Sequence, residues 1–139
     1  MDVRFIASFS VISAHPAEDR GLFVDGLDLP LQPPASVPDS DYVFSEGIPG
    51  SKHFGVWPLG EAALSCFGQQ TWPDSHPVPT ACIEFEVDDV EAAARELEGK
   101  GYNLVHSART EPWDQTIARL QTPDGLLIGI CFTPWLHDG

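Results

Sequence analysis

Two parts of the chain, 74 residues apart, share the same order of predicted elements. Gly55-Val56-Trp57 in the first part corresponds to Gly129-Ile130-Cys131 in the second, which sets the offset (129 − 55 = 74). The same offset aligns three further pairs: Ser8 with Cys82, Ser10 with Glu84, and Phe23 with Leu97. Self-similarity at a fixed spacing indicates that one structural unit occurs twice. The repeat therefore predicts a fold built from two similar modules, and it restricts the fold more than any single motif does.

The first module is predicted to contain one strand, one helix and three further strands. Its stretch RFIASFSVISA alternates, with Phe5, Ala7 and Phe9 on one face, and this period of two is typical of a strand. Pro16 suits the first turn of a helix, and the apolar residues after it predict a helix of about three turns. The later strands are predicted near 29–31, in 41–47 (DYVFSEG) and in 51–59 (SKHFGVWPL).

The second module repeats this order. The alternating stretch PTACIEFEV predicts a strand in 79–87. Asp88 and Glu91 match the capping pattern D-x-x-E, which predicts the start of a helix, and Gly99 and Gly101 predict its end. The three following strands are predicted in 102–108 (YNLVHSA), 116–121 (TIARLQ) and 126–132 (LLIGICF).

The length of 139 residues is typical of a single domain. We expect module one to span about residues 4–59, a linker to span 60–78, and module two to span 79–136. The linker sequence EAALSCFGQQTWPDSHPVP predicts a short helix followed by a proline-rich segment.

The chain is strongly acidic, with 7 basic residues against 21 acidic ones and a formal charge of −14. A negative surface repels phosphate backbones, so we expect no nucleic-acid partner. The same charge favours a cationic ligand, although acidity also serves solubility without any ligand. The net charge is therefore consistent with a cation-binding site but does not indicate where in the chain such a site lies.

No run of apolar residues approaches the roughly 20 that a membrane helix requires, and the N-terminus lacks the basic region of a secretory signal. We therefore expect a soluble cytoplasmic protein with no membrane partner. Cys66, Cys82 and Cys131 form no CxxC pair, which favours reduced thiols over a disulfide framework or a zinc site.

The stretches FEVDDVEAAARELEGKGY (85–102) and EPWDQTIARLQTPDGLLIGI (111–130) resemble the vicinal-oxygen-chelate superfamily of glyoxalases, bleomycin-resistance proteins and extradiol dioxygenases. HPAEDRGLFVDGLDLPL (15–31) resembles the first helix of that superfamily and the turn after it. The resemblance implies an α+β fold in which two βαβββ modules form a curved mixed sheet, with a cup on its concave side. It also implies a homodimer.

The resemblance further implies where metal-dependent members hold their ion. The corresponding positions here are Ser8, Gly55, Cys82 and Gly129. Glycine has no ligating side chain, and a serine hydroxyl is a poor ligand beside imidazole or carboxylate. We therefore expect no metal and no cofactor, and we expect the missing side chain at Gly129 to leave space in the cup.

Alternation in the first and last strands of module two selects the residues that face this cup. If Phe85 covers the helix, then Cys82 and Glu84 point into the cup, and Gly129 and Cys131 share that face. A carboxylate in a largely covered position requires a partner. Two alternatives follow for Glu84: an internal pair with Arg119, or a role in binding a cationic group or acting as a base.

Aromatic and imidazole side chains complete the predicted site. Trp57, Trp72 and Trp113 are candidates to wall a flat ligand, since tryptophan faces attract cations when water is excluded. His53 is expected on the same face as Trp57, with His106 as the second choice. The predicted ligand-binding set is Ser8, Ser10, His53, Trp57, Cys82, Glu84, Trp113, Gly129 and Cys131, and the catalytic candidates are Glu84 and His53.

The sequence leaves three functions open. The first is a metal-free protein that, like the bleomycin-resistance branch, sequesters a cationic or aromatic small molecule. The second is a lyase, isomerase or dioxygenase that uses a relocated metal site, such as one built from His53, Cys82 and Glu84, or a Glu or His general base. The third is a noncatalytic module that binds a basic protein.

Overall fold

The computed structural model describes residues 1–137, which form an open seven-stranded mixed sheet in the order β2-β3-β1-β4-β7-β6-β5. The strands are β1 (Phe5–Ser13), β2 (Val43–Ser45), β3 (Phe54–Pro58), β4 (Ala81–Glu86), β5 (His106–Thr110), β6 (Thr116–Gln121) and β7 (Leu127–Phe132). The helices are α1 (Pro16–Arg20), which continues as a π-helical segment (Gly21–Gly26), α2 (Leu59–Phe67), α3 (Val90–Gly99) and a 3-10 turn (Pro134–Leu136). The predicted α+β fold is confirmed.

The sheet register reproduces the 74-residue offset. At the centre, β1 and β4 run antiparallel and place Phe9 opposite Ile83, two residues that the offset relates to each other. In the first module Ser10 pairs in parallel with Gly55, and in the second Glu84 pairs in parallel with Gly129. The two halves of the sheet are therefore related by an approximate twofold axis through the β1–β4 pair.

The first module carries a shorter sheet than the second. The strand predicted near 29–31 is reduced to one bridge, between Gln32 and Phe44. Pro30, Pro33 and Pro34 surround this position, and proline has no N–H for a ladder. The prolines thus account for the lost strand.

A bulge between Ile6 and Ser8 changes the predicted faces of β1. Ala7 is buried against Ile117, as expected, but Phe9 lies 42% exposed instead of sharing its face. One extra residue in a strand moves every later side chain to the opposite face. The predicted grouping of Phe9 with Phe5 and Ala7 is therefore wrong, whereas Ser8 and Ser10 share one face as predicted.

The face of the sheet opposite the cup is covered in module two by α3. Ala93 and Ala94 pack with Ala118 of β6 and Ile130 of β7. The cap of α3 is Asp89, whose side chain accepts a hydrogen bond from the Ala92 N–H at 3.0 Å.

The predicted cap at Asp88 is thus displaced by one residue. Two adjacent aspartates offered the same capping chemistry, and Asp88 instead accepts from the guanidinium of Arg4 at 2.9 Å.

The elements that position the site agree with the sequence with one exception. The predicted strand in 116–121 is confirmed as β6, and the short linker helix is confirmed as α2. The strand predicted in 102–108 begins only at residue 106 and extends to 110. No helix among residues 1–137 combines the length and apolar character of a membrane span.

Candidate functional site

A cavity of about 430 Å³ lies on the face of the sheet opposite α3. At one end α2 packs across this face, where Ala62 and Cys66 contact Ile12, Cys82 and Leu127. The walls are completed by side chains in and beside β2 and β3, in the loop before β6 and in the segment after β7: Tyr42, Phe44, Glu46, His53, Trp57, Trp113, Gln115, Thr133 and Trp135. The curved sheet therefore encloses room for a small molecule.

Seven of the nine predicted ligand-binding residues line this cavity: Ser8, Ser10, His53, Trp57, Cys82, Glu84 and Trp113. Five of them come from the strands β1, β3 and β4, His53 directly precedes β3, and Trp113 lies in the loop before β6. The register of β1 on β4, with Ser8 opposite Glu84 and Ser10 opposite Cys82, brings the central four together. The fold thus brings residues that are up to 105 positions apart in the sequence to one cavity (113 − 8 = 105).

Gly129 and Cys131 do not line the cavity, which corrects their predicted placement. A Cβ atom added at Gly129 would lie 2.8 Å from Ile117 Cδ1 and 3.0 Å from Glu84 Cγ. Side chains of the protein itself therefore fill the space expected there. Cys131 is fully buried against Ala7 and Ile117, below the cavity wall.

Glu84 is held by a chain of hydrogen bonds from the loop before β6. Its Oε1 atom accepts from Gln115 Nε2 at 3.0 Å, and the same Nε2 donates to Thr133 Oγ1 at 3.0 Å. Trp113 Nε1 donates to Gln115 Oε1 at 2.9 Å, so the tryptophan and the carboxylate share one amide. This amide provides the internal partner of Glu84.

The expected pair between Glu84 and Arg119 is wrong, because Arg119 pairs with Glu111. The Arg119 side chain is 2% exposed, and its Nη1 lies 3.1 Å from Glu111 Oε1. The same carboxylate oxygen accepts from Arg109 Nε at 3.2 Å and from Ser65 Oγ at 3.2 Å. Two guanidinium groups therefore share one carboxylate at the α2 end of the cavity.

His106 supports Arg119 from outside the cavity wall. Its Nδ1 donates to the Ser107 carbonyl at 2.8 Å, so Nε2 is free to accept from Arg119 Nη1 at 3.1 Å. Burial lowers the pKa of His106 to about 4, and the nearby Arg119 charge acts in the same direction. His106 is thus a neutral hydrogen-bond acceptor, and it does not line the cavity as proposed for the second-choice histidine.

On the opposite wall, Tyr42, His53 and Glu46 form a second chain. The Tyr42 hydroxyl lies 2.6 Å from His53 Nε2, and His53 Nδ1 lies 3.0 Å from Glu46 Oε2. Trp135 Nε1 donates to the same Glu46 oxygen at 3.0 Å. The His53 ring also stacks on Phe44, with centroids 4.9 Å apart and planes 10° apart. These contacts fix the histidine ring in one orientation.

Burial raises the pKa of the Tyr42 hydroxyl far above its usual range, and the charge of Glu84 raises it further. Burial likewise raises the pKa of the Cys82 thiol, again with help from Glu84. Glu61, a further acidic residue on the cavity wall, has its pKa raised by burial and then by Asp41. Burial is thus the main cause of these shared directions, and nearby carboxylates add to it, because both disfavour the anionic form of each group.

Several residues of the cavity wall were not predicted from the sequence. Tyr42, Phe44 and Glu46 alternate along the strand predicted in 41–47, and that period of two places them on one face. Trp135 follows the last strand, where no periodic signal exists. The predicted wall residue Trp72 instead packs in the core against Phe67 of α2.

Comparison with known proteins agrees with this geometry. The glyoxalase-like domain family matches residues 79–133, which cover β4 to β7. The residues matched include the strand-helix unit and the turn before β7 on which the sequence resemblance rests.

Residues 79–133 are therefore similar to the glyoxalase-like domain family, and the chain as a whole shares its fold with solved structures. A glyoxalase/bleomycin resistance protein/dioxygenase superfamily member from Vibrio splendidus 12B01 is 16% identical, with a TM-score of 0.58 over 93% of this chain and 100% of the other. Methylmalonyl-CoA epimerase from Mycobacterium tuberculosis is 20% identical, with a TM-score of 0.58 over 96% and 91% of the two chains.

A third structure is the Mn(II)-bound glyoxalase from Novosphingobium aromaticivorans, which is 16% identical. Its TM-score is 0.57 over 94% of this chain and 38% of its own, longer chain. A search among curated proteins returned no match. At these identities the likeness establishes the fold, and the chemistry must be argued from the cavity itself.

The residues at the positions where the sequence resemblance implies a metal do not fit a divalent ion. Ser8 and Cys82 face the cavity, whereas Gly55 and Gly129 supply no side chain and lie beneath residues of neighbouring strands. Residues 1–137 contain no group of three His, Cys, Asp or Glu side chains arranged to hold a metal. The relocated centre of His53, Cys82 and Glu84 is not formed, because His53 is bonded to Tyr42 and Glu46.

Proposed function

We propose that this protein binds a small aromatic cation in the cavity and sequesters it without chemical change. The observation that carries the proposal is the position of Glu84, which borders an apolar cavity walled by Trp57, Trp113 and Trp135. A cationic group beside a carboxylate and over tryptophan faces gains from both contacts when water is excluded.

The negative charges around the cavity favour a positively charged ligand. Glu46, Glu61 and Glu84 all border it, whereas the guanidinium of Arg119 is paired with Glu111. Burial raises the pKa of Tyr42, and the additional effect of the Glu84 charge is a second sign of negative potential there. A cation relieves this potential, and an anion at the same place opposes it.

Tryptophan fluorescence provides the test, because three tryptophans border the cavity. We expect benzylamine and bleomycin to alter the emission and to raise the melting temperature. Benzyl alcohol, which has the same ring without the charge, should bind more weakly. If no cationic aromatic compound alters emission or melting temperature, the proposed function is wrong.

The variant Glu84→Gln tests the residue that carries the proposal. The amide keeps the shape and can still accept from Gln115, so the fold should be retained. Loss of the charge should weaken benzylamine binding about tenfold, the size of one charge-assisted contact. Glu91→Gln, which removes an exposed carboxylate on α3, is the matched control and should bind as the wild type does.

A second candidate function, proton transfer in an isomerase or lyase, is favoured by the chain of Tyr42, His53 and Glu46. A histidine oriented by a carboxylate and bonded to a tyrosine hydroxyl is an arrangement suited to general acid–base work. Exchange of solvent deuterium into carbonyl probes, followed by NMR, tests this candidate. The exchange should require His53 and should be lost in His53→Gln.

A further inference from the structure

Arg119, whose side chain is among those that line the cavity, has one polar atom without a partner among residues 1–137. Nη2 of Arg119 is buried and makes no hydrogen bond within residues 1–137. Both bonds of the neighbouring Nη1 are used, by Glu111 and by His106. An unsatisfied buried N–H group is unfavourable, and native structures rarely retain one without a partner.

The charges around Arg119 also indicate that it lacks an anionic partner of its own. Arg109 and Arg119 share the single carboxylate of Glu111, and arginine stays protonated in proteins. The cluster of Arg109, Arg119 and Glu111 therefore carries one positive charge more than it has negative charge. The aromatic neighbour of Arg119 does not neutralise it, because Trp57 offers only its ring face, 5.7 Å from Arg119 Cζ. That contact leaves the in-plane N–H bonds of Nη2 without an acceptor.

Arg119 and Glu84 lie in one row of the sheet. Glu84 pairs with Gly129, and Gly129 pairs with Arg119, so the two charged residues stand two strands apart, about 10 Å between backbones. Their side chains have different partners: Glu84 bonds to Gln115, and Arg119 reaches Glu111 and the Trp57 ring. The cavity thus carries separated charges of opposite sign along its length.

We infer that Arg119 is an anion-binding subsite, and that the ligand is a zwitterion with its cationic end at Glu84 and a carboxylate at Arg119 Nη2. This inference rests on the proposed function and adds the second polar end of the ligand. The flat body between the two charged ends lies between the tryptophan walls. A carboxylate satisfies both free N–H bonds of Nη2 and balances the shared guanidinium charge.

Three rigid probes separate the two ends: benzylamine as the cation, benzoate as the anion, and 4-(aminomethyl)benzoate as the zwitterion. Binding is measured by calorimetry on the wild-type protein. We expect the zwitterion to bind about tenfold or more tighter than benzylamine, the gain of a charge-assisted contact. Equal or weaker binding of the zwitterion, with benzylamine still bound, would overturn the inference and leave the proposed function intact.

Variants test whether Arg119 is the residue that makes the zwitterion bind more tightly than benzylamine. Arg119→Met should abolish the advantage of the zwitterion over benzylamine, and Arg119→Lys should retain part of it. Arg95→Gln removes a positive charge from the exposed side of α3 and should keep the full advantage. An advantage that survives in Arg119→Met would also overturn the inference. If Arg119→Met does not fold, the inference is tested by zwitterion and benzylamine binding to the wild type and to Arg119→Lys.

The remaining outcomes distinguish the two proposals. Arg119-dependent binding of benzoate and of the zwitterion, with no binding of benzylamine, would retain the anion subsite and refute the cation site. No binding of any of the three probes would refute both.

Discussion

The side chain of Glu84 lies across Gly129, so that a Cβ atom added at position 129 would be 3.0 Å from Glu84 Cγ. The two residues are register partners in the parallel pair of β4 and β7. Glycine in a strand interior often marks close approach of another group, and here that group belongs to the protein. The absent side chain at 129 thus makes room for the carboxylate that defines the cavity.

Gly129→Ala should lower the free energy of unfolding by about 1 to 3 kcal/mol, the usual cost of overpacking. The added methyl group would be 2.8 Å from Cδ1 of Ile117, which is fully buried, and close to Glu84. Urea denaturation measures the change. Gly99→Ala, at the end of α3 with nothing within 4 Å of the new methyl group, is the control and should be neutral or stabilising. Equal stability of the two variants would contradict the close packing.

Stability should fall as the pH is lowered from about 6.5 to about 4, in part because of His106. In the unfolded chain this ring binds a proton below its ordinary value of 6.5, whereas its pKa in the fold is about 4. Between these values the unfolded state binds more protons, so the free energy of unfolding rises with pH in this window. Above the unfolded pKa of 6.5, His106 makes its full contribution to the free energy of unfolding.

His106→Gln should flatten this pH dependence, because an amide oxygen can accept from Arg119 and does not titrate. Urea unfolding at several pH values gives the slope, with the exposed His15→Gln as the comparison. A slope that is unchanged in His106→Gln and reduced in His15→Gln would show that the wrong histidine has been assigned.

Tyr42 should remain a neutral phenol at every pH at which the protein stays folded. Burial raises the pKa of its hydroxyl, and the charge of Glu84 raises it further. Ultraviolet titration of the wild type and of Tyr42→Phe should therefore give the same tyrosinate absorbance until the protein unfolds. After unfolding, the wild type should gain one additional tyrosinate. Extra absorbance in the folded wild type would mean that the hydroxyl ionises in place.

Divalent metals should leave ligand binding unchanged. The positions where the sequence resemblance implies a metal hold Ser8, Gly55, Cys82 and Gly129, which do not form the set of imidazole and carboxylate donors that such ions prefer. Addition of Mn(II), Ni(II) or Zn(II), or of a chelator, should not shift the melting temperature or benzylamine affinity. A stoichiometric metal that tightens benzylamine binding would disprove this expectation.

Much of the fold followed from the sequence because periodicity is a local property. The alternation in 79–87 and the stretch 116–121 correspond to β4 and β6, and the 74-residue offset reappears in the register of β1 on β4. Ser8, Ser10, Cys82 and Glu84 reach the cavity for the same reason, since a side-chain period of two fixes the face of a strand on which each side chain lies.

The sequence by itself determined the two-module fold, the central strands and the face that bears Glu84. Tertiary structure alone decided the partners: Gln115 for Glu84, Glu111 for Arg119, and the filling of Gly129 by Ile117. The bulge in β1, which redirects Phe9, was likewise absent from the pattern. Such pairings depend on which strands become neighbours and in which register, and residues distant along the chain set both through packing of the whole domain.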